Sequence, residues 1–146
     1  AHLLRYLLDF DLSTVDVNDA PKTEALMEQK IRSLGPMAEW WFDCLQSGQL
    51  SGGDFGGEMP DRVATNRLRD AYARWARGRN IRTRLENEHT FGRGLTKMAP
   101  SITKKKRNKG KIEPGDTTND YAIPILDTLR SDFERFIEGA ITWPME

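Results

Sequence analysis

The chain has 146 residues, 38% hydrophobic and 9% aromatic, enough for one domain with a real core, while 30% charged residues and a mean hydropathy of -0.65 imply much solvated surface. A single Cys44 excludes an intrachain disulfide or a cysteine zinc cluster, and no apolar run approaches the roughly 18 residues of a membrane span, which predicts a soluble, unexported, cytoplasmic protein. The zero net charge hides segregation: residues 1–60 hold 4 basic and 10 acidic side chains (net -6), residues 61–111 hold 16 and 4 (net +12), and residues 112–146 hold 2 and 8 (net -6), so the middle third is expected to face an anion.

Leu3, Leu4, Leu7 and Leu8 have helical spacing with no start signal before them, so the chain is expected to begin inside a helix of a larger protein. After the polar residues 13–20, Pro21 suits a first helical turn, and Met27, Ile31 and Leu34 then repeat at i, i+4, i+7 up to Gly35. Pro36 opens the next helix, whose stripe of Met37, Trp40, Trp41, Cys44 and Leu45 runs to Gly48. Because Trp40 and Trp41 are adjacent, one is expected to point inward and the other to pack against a neighbouring module or partner. Five glycines and one proline in residues 47–60 read as a linker and a module boundary.

Asp61 is the expected N-cap of a helix on Leu68, Ala71, Tyr72 and Trp75 that ends at Gly78, with Arg67, Arg69, Arg74 and Arg77 on its other faces. The register of Tyr72 and Trp75 with Leu68 favours core packing over a base-stacking platform. The next helix is expected from about Asn87 to Met98, burying Phe91, Leu95 and Met98, with Pro100 forbidding continuation. Residues 101–112 are too basic to pack and read as an exposed strand and loop. Gly115 and Asp116 supply turn chemistry, and Tyr121, Ala122 and Ile123 form a return strand. Pro124 starts a final helix on Leu126, Leu129, Phe133 and Phe136, closed by Gly139, with Trp143 packing back.

Helix, short linker, helix, strand, basic loop, strand is the layout of a winged helix, in which one helix is presented to the major groove and a hairpin reaches backbone or minor groove. With Phe91, Leu95 and Met98 inward, Arg93 and Lys97 share another face at i, i+4 and are the expected groove-facing side chains. Gly92 and Gly94 each cost roughly 1 kcal/mol in helix propensity, so a packed neighbour or a phosphate is expected close to them. Lys104, Lys105, Lys106, Arg107, Lys109 and Lys111 place six positive charges in eight positions, a self-repelling run that a polyanion relieves by counterion release. Lysine predominates, and only Arg107 offers a fork for bidentate base contacts, so this wing should position more than specify. Arg82 and Arg84 are expected to track the DNA backbone.

No catalytic centre or cofactor site is expected. His2 and His89 lie far apart, Cys44 reads as a small core residue, and Gly110 and Lys111 are followed by Ile112 without the rest of a phosphate-binding loop. Asp9, Asp11, Asp16 and Asp19 lack the spacing and glycine of an EF-hand loop.

Residues 21–34 (PKTEALMEQKIRSL), followed by Trp40-Trp41-Phe42 and Leu45, resemble the segment after the helicase module in phage- and prophage-encoded primase-helicases. Leu68, Tyr72 and Trp75, then Phe91-Gly92-Arg93 and Leu95, a basic wing, and Tyr121 before Pro124 resemble the C-terminal winged helix that poxvirus-type primase-helicases also carry. The ending, with Arg130, Phe133-Glu134 and Trp143, is similar too. Ala76 stands where that family often has a cysteine, and residues 101–123 exceed its usual wing. The resemblance implies a piece of a replication protein whose ATPase, with or without a primase, lies upstream of Ala1, with oligomerisation through the parent protein.

The expected architecture is mainly α with a small β-hairpin: a helical connector over residues 1–47, a Gly-rich linker over 48–60, a winged-helix domain over 61–124, and a C-terminal helix over 125–146 packing on it. The expected partners are duplex or forked DNA and the upstream helicase module, without a membrane. The alternative is a protein-interaction or oligomerisation module of the same replication protein, in which the basic block meets an acidic surface.

Overall fold

The computed structural model describes residues 23–82, 87–107 and 112–145. The leucine-rich opening, the aspartates of residues 9–19, and Pro21, Arg84, Lys109 and Lys111 lie outside them. Among the described residues the chain is mainly helical with one small antiparallel sheet, in the order α1 (Glu24–Ser33), α2 (Pro36–Ser47), β1 (Arg62–Ala64), α3 (Thr65–Gly78), α4 (Glu88–Met98), β2 (Thr103–Lys106), β3 (Asn119–Ala122) and α5 (Leu126–Ile137). None of these helices is long and apolar enough to cross a membrane.

Helix α1 starts on the Thr23 cap, whose hydroxyl accepts from Leu26 N, and turns at Gly35 into α2 with Pro36 at its first turn. Helix α2 ends where expected, at Gly48 in the left-handed conformation. The expectation that only one of Trp40 and Trp41 would face inward is corrected: both are fully buried. Helix α2 is central, packed by α1, α3 and α5, so it has no outer face on the side where a second tryptophan would emerge. Trp40 lies against Tyr72 of α3 and Phe91 of α4, with ring centroids 5.5 and 6.0 Å away, while Phe42 stacks on Phe133 of α5 at 6.1 Å.

The Gly-rich segment expected to separate two modules instead joins the core. Leu50 is buried, Trp40 Nε1 donates to Ser51 O at 2.9 Å, and Phe55 and Met59 pack against the same hydrophobic cluster. Gly52 has φ +90°, and a Cβ there would overlap the Ala71 carbonyl, so glycine lets this loop lie directly on the backbone of α3. One buried cluster therefore runs from Ile31 to Ile137 across this segment.

Asp61 does not cap a helix. Residues 62–64 form β1, which pairs with β3 in the register Arg62↔Ala122, Val63↔Tyr121 and Ala64↔Asp120, and helix α3 begins only at Thr65. Burial of Val63 and Ala64, and the pairing with β3, outweigh helix propensity there, so the expected hairpin becomes a three-stranded sheet of order β1-β3-β2.

Helix α5 braces this arrangement. Leu129, Phe133 and Ile137 are buried, and Arg130 donates from Nε and Nη2 to the Leu45 carbonyl at 3.2 and 3.1 Å, satisfying a group that the end of α2 leaves open. Asp132, also buried, accepts from Ser101 N at 2.9 Å and so fixes the turn between α4 and β2. Trp143 folds back as expected, donating to Glu134 at 2.9 Å with its ring 5.9 Å from Phe42.

Candidate nucleic-acid interface

Helix α4 begins at the expected cap: Asn87 Oδ1 accepts from Thr90 N at 2.8 Å and from Thr90 Oγ1 at 2.9 Å. Phe91, Leu95 and Met98 anchor it in the core. The close neighbours expected at its glycines are protein groups: a Cβ on Gly92 would stand 3.0 Å from Tyr121 Oη of β3, and one on Gly94 would stand 2.7 Å from Met37 Sδ of α2. Small residues thus let both flanks of α4 seat tightly, which holds its outward face rigid.

That face carries His89, Arg93, Thr96 and Lys97, all exposed. Arg93 Nη2 lies 3.2 Å from His89 Nδ1, and Lys97 makes no ion pair among the described residues. Between α4 and the hairpin runs a groove of about 440 Å³, lined by Arg93, Lys97 and Thr96 on one side and Lys104, Ile102 and Tyr121 on the other. Burial, and secondarily the charge of Glu88, push the Tyr121 phenol up from its ordinary value, so it stays a neutral floor to this groove. Glu88 closes one end, accepting from Lys104 Nζ and from Thr65 Oγ1, each at 3.3 Å. Lys104 is therefore not a free cation.

The hairpin divides the expected basic run. All four residues of β2 are exposed, and the register Lys104↔Tyr121, Lys105↔Asp120 and Lys106↔Asn119, with side chains alternating along a strand, puts Lys104 and Lys106 on the Tyr121 face and Lys105 on the opposite one. Arg82, Lys105 and Lys106 are exposed without an ion pair among the described residues. Arg107 departs from its expected role. Its side chain is 20% exposed, with Nη1 2.8 Å from Asp116 and Nε 2.9 Å from Asp120, so its fork is already engaged by carboxylates and is not offered to bases. The Asp116 bond foremost raises the Arg107 guanidinium further above its ordinary value.

This network has no counterpart in the local sequence reading. Asp116 also accepts from Arg67 Nε of α3 at 2.6 Å, Asn66 donates to Gly115 O at 2.7 Å and accepts from Thr117 N at 3.2 Å, and the Thr65 and Thr117 hydroxyls are 2.7 Å apart. The returning arm of the hairpin is thereby fastened to the first turn of α3. Burial pushes the Asp116 carboxyl up, but bonds from Arg67 and Arg107 outweigh it and hold the group below the usual carboxylate range. A depressed folded-state value contributes stability that is full above the unfolded value, about 3.9, and is lost as pH falls through the folded value. Asp116→Asn is accordingly expected to lower the urea midpoint at pH 6, with a smaller gap to the parent chain in acid, below the unfolded value. A gap equal at both pH values would contradict the assignment.

Two other candidate chemistries were weighed against the geometry of the described residues. Cys44 is fully buried, and burial pushes its thiol up to about 12, as suits a core residue rather than a nucleophile. Among the described residues no group of three or more His, Cys, Asp or Glu side chains is placed to hold a metal ion. No protein-family model matches the chain, and no curated protein or solved structure matches it.

Proposed function

We propose that the chain is a winged-helix DNA-binding module that holds duplex or forked DNA, with α4 as the helix presented to the major groove and β2–β3 as the wing. The observation that carries the reading is the combination of element order α2-β1-α3-α4-β2-β3 and sheet order β1-β3-β2 with a rigidly seated α4 whose solvent face bears Arg93 and Lys97. The continuous core, which includes Ile31 as well as residues of α2, supports counting α2 with the module rather than starting it at residue 61. Arg93 and Lys97 contact groove or phosphate, Lys104 and Lys106 face the strand of DNA lying along the groove, and Arg82 and Lys105 add to the surrounding positive field. On this reading the chemistry of the module is binding. The resemblance of residues 21–34 and of the later aromatic pattern to phage-type primase-helicases supports a place beside the motor of such a replication protein, in the cytoplasm.

The test is anisotropy titration of labelled duplex and fork at low and moderate salt. A protein with several phosphate contacts loses affinity steeply between about 50 and 200 mM salt, with a log–log slope of about -0.9 per contact. Lys104→Ala, Lys105→Ala and Lys106→Ala combined are expected to weaken binding alike for all sequences and to flatten that slope. Unchanged affinity and slope in the triple variant would remove the wing from the interface. Failure of the parent chain to bind any nucleic acid at low salt would overturn the DNA reading.

A further inference from the structure

A second groove, of about 530 Å³, lies at the end of the sheet away from the hairpin loop, between the end of α2 and the start of α5. Its apolar part is Met59, Pro124, Leu126 and Ile125, the last 73% exposed. Glu58, Asp61 and Asp127 rim it, all exposed and none in an ion pair among the described residues. The last turn of α2, at Ser47 and Gly48, also opens here. Such a surface suits a cation with a long aliphatic stem, which can cover Ile125 and Met59 while its ammonium meets the carboxylates.

We propose that this groove receives the lysine-rich hairpin of a second copy of the chain. The argument is charge complementarity: the hairpin offers Lys105 and Lys106 exposed and unpaired among the described residues, and the chain divides its zero net charge into acidic and basic regions. The groove lies past Ala122, whereas Lys106 pairs with Asn119 at the other end of β3, so the two surfaces face away from each other in one copy. Docking is therefore heterologous, head to tail, and each added copy leaves a fresh hairpin and a fresh groove. The assembly grows with concentration instead of stopping at a symmetric dimer. Salt screens it, and DNA on the hairpin competes with it.

The experiment is sedimentation velocity on the chain at about 50 mM and about 0.5 M salt, where the screening length falls from roughly 14 to 4 Å. The parent chain is expected to show a mass rising with concentration at low salt and a monomer at high salt. Glu58→Gln, Asp61→Asn and Asp127→Asn combined remove the groove's charge at exposed, unpaired positions, and Lys104→Ala, Lys105→Ala and Lys106→Ala combined remove the hairpin's. Each variant alone is expected to be monomeric, and their equimolar mixture to form one heterodimer and nothing larger. A parent chain that is monomeric at low salt, a groove variant that assembles like the parent, or a mixture that stays monomeric would each overturn the proposal. No nucleic acid enters this test, so it succeeds or fails separately from the DNA reading, under which the groove variant binds duplex as tightly as the parent.

Discussion

Replacing both Arg93 and Lys97 with Ala is expected to weaken duplex binding more than any other pair of surface changes, while leaving thermal stability within about 0.5 kcal/mol of the parent. Both side chains are exposed, and apart from the Arg93 contact with His89 neither supports the fold. Each stands on a helix gripped by Met37 on one flank and Tyr121 on the other, so a contact made there is made without ordering the backbone first. Loss of one good groove contact costs about 1–3 kcal/mol, so the double variant, which loses two, should bind at least about 30-fold more weakly. The single variants separate two roles: Arg93→Ala relaxes sequence preference if its fork reads a base, whereas Lys97→Ala lowers affinity evenly and reduces the salt slope by about one contact. Duplex affinity equal to the parent in the double variant would move the interface off α4 altogether.

The largest expected effect on stability is at Trp40. Truncation to Ala empties a fully buried site bordered by Trp41, Tyr72 and Phe91 and orphans the Ser51 carbonyl that its indole nitrogen now satisfies. Large aromatic truncations cost about 3–5 kcal/mol, a sizeable fraction of the roughly 5–15 kcal/mol that holds a domain folded. Trp40→Ala is therefore expected to lower the urea midpoint severely, and Trp40→Phe, which keeps most of the volume but not the donor, to fall between. Because the residues around Trp40 come from α2, α3 and α4, the loss should be cooperative across the whole chain, with far-UV and near-UV signals melting together. A variant in which α1 and α2 melt while the remainder persists would show two folding units instead of one.

Helix limits were the most legible part of the sequence because Pro36, Gly48, Asn87 and the proline at 100 act locally, through fixed torsions and caps. The identity of α4's outer face was legible for the same reason: the period of Phe91, Leu95 and Met98 leaves Arg93 and Lys97 outside. What stayed illegible depends on partners distant along the chain. Strand β1 is three residues long, too short for alternation to register, and exists because β3 lies beside it. Burial of both tryptophans follows only once α1, α3 and α5 pack around α2. Arg107 reads as one more member of a basic run until the register sets it against Asp116 and Asp120, and Arg67 finds Asp116 across 49 positions of sequence. Nothing in the spacing of Asn66 and Arg67 announces that they fasten the hairpin.

Strand β2 is an edge of the sheet, and all four of its residues face solvent. An open edge offers unpaired amide and carbonyl groups to any other extended chain, and short length with lysine side chains is a common defence against such pairing. Two β2 edges brought side by side would set one lysine run against another, so sheets of separate copies are kept from fusing by electrostatic repulsion.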